Sequence, residues 1–437
     1  MIDRRQALKT AALTTLAFAT SRRALTQNNP LAAQILADDH LTQVLAMARN
    51  LLKGGVNAGS GYKQTWIRDL NTFITIALEV NPPQLFRDTL LTFFKFQGPA
   101  GDIVDGYNVL DPAKVKTAYR TTPLAPGSMA FKNTVEVDQE SSLVQAVFKY
   151  VTATQDATIL EETIAAITAR DRLKQAMQYL LTERFDPQHG LIWSATRADW
   201  GDVQPETPRG VLFDASSHRS LSIYDNAMLI LAINDYLELP GGEARDLAHW
   251  KTVRDSLKHN TRKHLWDAKN QKFIPHVYLD ASPFPVDFDE RAIFYHGGTA
   301  VAIEAGLLTR SEALHSLNHM DADVQAAHAA TIGLTLYPAY PDGFFKNPQL
   351  TKPYTYQNGG DWTWFGGRMI QQLVRLGFIR EAYRDLQPMV ERVLRVGDFH
   401  EWWTPDNQPR GSSGFRGSAG VLGQAIQMLQ AWAKQNA

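Results

Sequence analysis

The chain holds 437 residues, with 44 Lys+Arg against 45 Asp+Glu and a formal charge of −1. That balance gives no electrostatic case for nucleic acid or an anionic membrane as a partner. The absence of cysteine excludes a disulfide framework, thiolate catalysis and a cysteine metal site, while 44% apolar residues at this length suffice for a large core.

The first residues read as a targeting signal. Asp3-Arg4-Arg5-Gln6-Ala7-Leu8-Lys9 is a paired-arginine segment, Thr10 to Ala19 is a short, weakly apolar run, and Ala17-Phe18-Ala19 is a small-x-small cleavage pattern. Residues 1–19 are therefore expected to be a signal peptide of the twin-arginine type, with 20–437 a single exported catalytic domain, periplasmic or secreted. An ordinary secretory signal is the competing reading. Without residues 1–19 the formal charge becomes −3. Neither this run nor any later one is long and apolar enough for a membrane helix, so no membrane insertion is expected.

Helical periodicity dominates the rest of the chain. Helices are predicted over 31–52, 66–79, 84–96, 139–153 and 158–166. Leu173, Ala176, Met177, Leu180 and Leu181 form one face of another. Ile223, Ala227, Ile230, Leu231 and Ile233 belong to a segment apolar nearly all round, which predicts deep burial. Further helices are predicted over 244–264, 292–305, 310–318, 322–330, 361–376 and 418–435. Ile379, Ala382, Leu386, Met389, Val390 and Val393 make a regular stripe between the last two. Strand-like alternation is scarce, as in Lys272 to Val277.

Between these helices run long connections, at 98–137, 184–221, 266–290, 331–360 and 397–417. Connections of this length in a compact domain are usually functional. They are rich in aromatic and acidic residues, and they carry most of four related stretches: Thr65-Trp66-Ile67-Arg68-Asp69, Asp199-Trp200-Gly201-Asp202, Gln357-Asn358-Gly359-Gly360-Asp361-Trp362 and His400-Glu401-Trp402-Trp403. Each sets a tryptophan within three residues of a carboxylate. Such pairs suit a sugar site, where a flat apolar ring packs on a pyranose and an acid handles its oxygens. About a dozen helices, and a site drawn from every part of the chain, fit a closed ring of six helical hairpins.

At these motifs the chain resembles the six-hairpin, or (α/α)6-barrel, glycosidases, a superfamily that includes glucoamylase, trehalase, processing α-glucosidase I, mannosylglycerate hydrolase, neutral invertase and the barrel domain of cellobiose phosphorylase. Thr65 to Asp69 resembles their Trp/Phe-x-Arg-Asp signature, which implies sugar contacts from Trp66, Arg68 and Asp69. Val137-Asp138-Gln139-Glu140-Ser141-Ser142 is similar to the start of their second hairpin. Asp199-Trp200-Gly201-Asp202 is similar to the phosphorylase element Asp-Trp-Asn-Asp, whose last Asp is the general acid. Tyr356-Gln357-Asn358-Gly359-Gly360 is similar to Tyr-His-Asn-Gly-Gly of invertases and phosphorylases, with Gln357 in place of His. His400-Glu401-Trp402-Trp403, with Pro405 and Gly411, resembles the segment bearing the general base of processing glucosidases. The resemblance covers most of residues 60–425 and implies an all-α toroid with long active-site loops.

It also implies an inverting exo-acting hydrolase of a small, α-linked glucoside or related oligosaccharide. Such a reaction needs a carboxylic acid to protonate the leaving oxygen and a carboxylate opposite it to activate water, ~6.5–9.5 Å apart. Asp202 is the expected acid, with Asp199 the competitor and a turn cap the structural reading of either. Glu401 is the expected base, with Asp398 a weaker candidate and an ion pair to Arg410 or Arg416 the structural reading. Arg68 and Asp69 are expected to clamp neighbouring hydroxyls, or else to be a buried ion pair. Asp138, Gln139 and Glu140 begin a helix and either face the sugar or cap it. Asn358 and Asp361 either bind substrate or fix their loop. Trp66, Trp362, Trp402 and Trp403 are candidate platforms, whereas Trp364, His296 and His218 are expected to be structural.

No His-x-x-x-His or acid-flanked pattern suggests a catalytic metal, and no cofactor is expected. The expected partner is a small carbohydrate, and oligomeric state has no signature in the sequence. Two rival functions stay open: a glycoside phosphorylase, in which Arg410, Ser412, Ser413 and Arg416 help bind phosphate, and a catalytically silent carbohydrate-binding protein. A polysaccharide lyase fits less well, since it calls for a basic cleft.

Overall fold

The computed structural model describes residues 29–115 and 119–437. The export reading of residues 1–19 lies outside them. The described residues form thirteen α-helices: α1 (Pro30–Leu36), α2 (Asp39–Leu52), α3 (Ile67–Ala77), α4 (Pro83–Lys95), α5 (Gln139–Thr154), α6 (Ala169–Glu183), α7 (Ile223–Glu238), α8 (Ala244–Leu265), α9 (His296–Glu304), α10 (Arg310–Ala326), α11 (Thr363–Arg375), α12 (Ile379–Val396) and α13 (Arg416–Asn436).

Six of them close a ring. Helix α3 packs on α5, α5 on α7, α7 on α9, α9 on α11, α11 on α13, and α13 back on α3. These inner helices are buried over most of their length. In α7 all residues from Ile223 to Ile233 are inaccessible, and in α11 all from Thr363 to Leu373. The helices between them in sequence, α2, α4, α6, α8, α10 and α12, lie outside. Each buries one stripe, as α12 does with Ile379, Ala382, Leu386, Met389, Val390 and Val393. Contacts and burial thus sort the helices into an inner and an outer layer, which is the expected all-α toroid of six hairpins.

Local signals set most boundaries. The expected helix over 31–52 breaks at Asp38, whose side chain accepts from His40 N–H and starts α2. The helix expected over 158–166 does not form. A 3-10 turn (Ala157–Glu161) leads instead into a hairpin of Thr163–Ile164 and Ile167–Thr168. The β-branched residues on both arms favour that pairing. The two helices expected over 310–318 and 322–330 are one, α10, begun by a Thr309/Glu312 capping box. Helix α9 starts four residues later than expected because Phe294–Tyr295 pairs with Leu336–Tyr337.

The long connections are ordered by short sheets. Thr65–Trp66 pairs with Gly106–Val109, which pairs with Ser128–Phe131 and then Tyr119–Arg120. A buried ion pair anchors two further loops. Arg392 Nη1 lies 2.9 Å from Asp361 Oδ1 with neither side chain exposed, and Thr331 Oγ1 donates to Asp361. Asp361 and Trp403 also exchange both backbone hydrogen bonds. Replacing Asp361 by Ala leaves Arg392 buried and unpaired, which is expected to cost about 3–5 kcal/mol. Thermal melting checks this, and an unchanged midpoint would show that the pair carries no load.

Candidate active site

The inner helices begin at one end of the ring, and the segments just ahead of them enclose a cavity of about 300 Å³. The loop before α3 and the first turn of that helix supply Tyr62, Trp66, Arg68 and Asp69. The connection to α5 supplies Asp105, Phe131, Asn133, Glu136 and Gln139. The connection to α7 supplies Trp200 and Asp202. Residues Tyr356, Gln357, Trp362 and Trp364 come from around the start of α11, and Glu401 and Phe415 from before α13. Residues more than 300 positions apart in sequence therefore share one small chamber.

Glu401 is almost inaccessible, at 4% exposure. Its Oε1 accepts from Tyr62 OH at 2.7 Å and Tyr356 OH at 3.3 Å, and its Oε2 from Ser412 N–H at 2.8 Å. Burial pushes its carboxyl above the usual range against the pull of these donors, and the Asp202 charge adds to the rise. Its ring-bearing neighbours Tyr62 and Tyr356 were not foreseen. Neither Arg410 nor Arg416 pairs with it among the described residues. Arg410 Nη1 donates to the Pro409 carbonyl, and Arg416 Nη1 donates to Asn57. Asp398, the weaker candidate, lies outside the cavity lining and accepts from Gly414 N–H.

Asp202 is the most open of the acids, with its side chain 29% exposed. Its Oδ2 lies 3.7 Å from Arg68 Nη2, and its Oδ1 has no hydrogen-bond partner among the described residues. Its backbone is held firmly. Asn133 Nδ2 donates to its carbonyl at 2.7 Å, and its N–H donates to Gln357 Oε1 at 3.4 Å. Asp199, the competing acid, does not line the cavity. It is buried, and its carboxyl accepts from Gly298 N–H at 3.0 Å; burial pushes it up to about 8, opposed by the Gly298 and Gly297 N–H groups.

Arg68 and Asp69 both reach the cavity but do not form a pair with each other. Arg68 Nη1 donates to Glu136 Oε2 at 2.7 Å, to Asp138 Oδ2 at 3.5 Å and to the Trp200 carbonyl at 3.3 Å. Its guanidinium sits over the rings of Trp200 and Trp364 at 5.9 and 5.7 Å. Burial lifts Asp69 to about 7, opposed by the Arg68 charge and reinforced by Glu401 and Asp202. Burial likewise lifts Asp105 to about 7 and raises Glu136. Gln139 Nε2 ties the last two together, donating to Asp105 Oδ1 at 2.6 Å and Glu136 Oε1 at 3.1 Å. Asp105, Asn133 and Glu136 went unnoticed in the sequence. The alternation Val135-Glu136-Val137-Asp138, acids inside an apolar strand-like run, was the available signal for Glu136.

Several expected sugar ligands are structural instead. Asp138 is fully buried and accepts from Tyr224 OH at 2.7 Å as well as from Arg68. It makes no side-chain cap either. Glu140 accepts from Lys132 Nζ and Ile103 N–H, away from the cavity. Asn358 bridges its own loop, donating to the carbonyls of Tyr340 and Leu350 and accepting from Tyr340 N–H. Asp361 is spent on Arg392. Trp403 is buried over the Arg392 guanidinium at 4.8 Å, and Trp402 packs edge-on to Tyr356 outside the lining. In each case a neighbouring inner helix, a loop or the outer-helix residue Arg392 captures the group before it can face the cavity. Trp364, expected to be packing only, does line it. His296 pairs with Asp323 and His218 with Glu206, both outside the cavity lining.

Chemically, the cavity offers two carboxyls with distinct surroundings, indole faces for a sugar ring, and several further acceptors for hydroxyls. Residues 124–432 match the family model described as amylo-alpha-1,6-glucosidase. Among solved structures, the GH63 mannosylglycerate hydrolase from Thermus thermophilus in complex with glucose is similar, with a TM-score of 0.61 and 17% identity over 89% of this chain and 99% of that one. The rhamnosidase from Klebsiella oxytoca with rhamnose bound gives a TM-score of 0.58 and 16% identity, over 90% of this chain and 64% of that one. The GH78 family rhamnosidase of Bacillus sp. GL1 gives 0.54 and 14%, over 89% and 34%. At these identities the likeness is one of fold. The comparison with curated proteins gives no match.

The Glu401 geometry rests on one glycine. Gly411 has φ +68°, and a Cβ there would overlap Glu401 Oε2. Gly411→Ala is expected to fold but to displace the Glu401 carboxyl from Ser412 N–H and lower turnover about tenfold or more. Kinetics with a circular-dichroism control tests it, and full activity would show that the carboxyl position is not critical.

Proposed function

The chain belongs to the amylo-alpha-1,6-glucosidase family and is a glycoside hydrolase; from that premise we propose that it is an inverting, exo-acting enzyme on a small α-linked glucoside or related oligosaccharide, with Asp202 as general acid and Glu401 as general base. The observation that carries this reading is the pairing of environments in one cavity. Glu401 is ringed by donors that favour its ionised form, while Asp202 is the most exposed acid of the lining and has a carboxyl oxygen with no hydrogen-bond partner among the described residues. A base must be ionised and fixed, whereas an acid must reach a leaving oxygen.

In this mechanism the sugar ring enters between Trp66, Trp362 and Trp364, and Asp69 with Arg68 binds its hydroxyls. Asp202 protonates the glycosidic oxygen as the bond to the anomeric carbon breaks. Glu401 takes a proton from a water that attacks the opposite face. A volume of about 300 Å³ lies at the small end for ligand sites, which favours one terminal sugar over a long chain. The glucose- and rhamnose-bound relatives carry rings of the same size.

Water is favoured over phosphate as the nucleophile. Ser412 N–H is engaged by Glu401, Ser413 Oγ by Ser60, Arg416 by Asn57, and Arg410 by its neighbouring carbonyl. Those are the groups a phosphorylase would need beside its base. Export of the mature chain remains part of the proposal and rests on the N-terminal sequence alone.

Asp202→Asn and Glu401→Gln are each expected to lower turnover by about two to four orders of magnitude with sugar binding retained. NMR of the first-formed sugar is expected to show inverted configuration, and retention would refute the mechanism. Screening α- and β-glucosides with and without phosphate identifies the substrate. Tyr62→Phe removes a donor that holds the Glu401 carboxyl down, so its pKa rises further. The acidic limb of kcat/KM is then expected to move to higher pH, and an unmoved limb would argue against Glu401 as the base.

A further inference from the structure

Helix α9 opens with His296-Gly297-Gly298 and has no side-chain cap of its own. The N–H groups of a first helical turn lack intrahelical partners and carry the positive end of the helix dipole. Here that end is met by a residue from almost a hundred positions earlier. Both oxygens of Asp199 lie within hydrogen-bond distance of Gly298 N–H, at 3.0 and 3.1 Å. The glycines make this approach possible. A Cβ on Gly298 would stand 2.8 Å from Asp199 Oδ1, and one on Gly297 would stand 2.8 Å from Oδ2 and collide with the Trp200 ring.

Asp199 also has φ +51°. A non-glycine residue holds that left-handed conformation only when its surroundings enforce it, and such residues cluster at working sites. Three residues later stands Asp202. The intervening turn is closed by Gly201 N–H donating to Ala198 O, and Arg197 Nη1 donates to Gly201 O at 2.7 Å. The Trp200 ring stacks on Phe365 with centroids 4.6 Å apart. Every member of this segment is fixed except the Asp202 carboxyl.

We propose that Asp199 and the Gly297–Gly298 pair form a latch that positions the catalytic acid: by gripping the uncapped start of α9, the Asp199 carboxyl holds the left-handed turn that aims Asp202 into the cavity. This rests on the reading of Asp202 as general acid. Asp199 is outside the lining and is a positioning residue. Its loss acts on proton delivery and leaves the sugar subsite intact.

Asp199→Asn keeps the size and tolerates a positive φ but puts a fixed NH2 group in place of one carboxyl oxygen beside Gly298 N–H. Gly298→Ala keeps the carboxyl and crowds it, together with Ile223 Cγ2 at 2.7 Å from the new Cβ. Both are compared with wild type and Asp202→Asn, on an alkyl glycoside the enzyme cleaves and on the fluoride of the same sugar, whose departure needs little acid help. A misplaced acid is expected to cost about 10²-fold in kcat on the alkyl glycoside, with less than about threefold on the fluoride and unchanged affinity for the free sugar. An equal loss on both substrates, or no loss on either in folded protein, overturns the latch. If Asp202→Asn itself shows no such split, the acid assignment falls and the latch with it. If Asp202→Asn shows it and neither latch variant does, only the latch falls.

Discussion

One buried guanidinium makes a carboxyl-lined chamber possible. Asp69, Asp105, Glu136, Asp202 and Glu401 all face the same cavity, and Arg68 is the cation among its lining residues. Carboxylates crowded in a poorly hydrated space raise one another's pKa and cost several kcal/mol each when unpaired. Arg68 offsets this by binding Glu136 and Asp138 directly and lying near Asp202, while Lys132 neutralises Glu140 just behind. The same side chain donates to the Trp200 carbonyl. It therefore links the first inner helix, the approach to the second and the acid loop in one contact set.

Around that charge the site separates what is fixed from what is left free. The backbone on both sides of Asp202 is bound by Asn133, Arg197 and Gln357, and the Trp200 ring is caged by Trp362, Trp364 and Phe365. Glu401 is held by three donors. Groups fixed in this way need no reorganisation when charge develops on a substrate, and that is where electrostatic catalysis is largest. The Asp202 carboxyl is the most exposed of the lining acids.

The ring explains why long connections can be rigid. Each inner helix is buried over most of its length, so its first residues are fixed in space by the core. The loops ahead of them need only short strands, one buried ion pair at Asp361–Arg392 and a few bridging amides such as Asn358 to complete their order. Polar residues spent on those bridges are inaccessible. They look like ligands in sequence because the same residue types serve both purposes.

The sequence by itself determined that helices dominate and that the segment from Ile223 to Ile233, apolar nearly all round, lies inside. It also determined which loops carry the acids and tryptophans, because such residues have no good surface or core alternative. It could not say which way each side chain faces. Asp138, Asn358 and Asp361 sit in the same motifs as Gln139, Gln357 and Trp362, yet they point into the wall while the others line the cavity. Tyr62, Asp105 and Glu136 belong to no tryptophan–acid pair and join the site only because the ring closes. A loop side chain's direction depends on contacts made hundreds of residues away, and no local pattern encodes those. The choice between Asp199 and Asp202 was of this kind. Two acids flank one tryptophan, and only the uncapped start of α9, nearly a hundred residues on, captures the first and leaves the second facing the cavity.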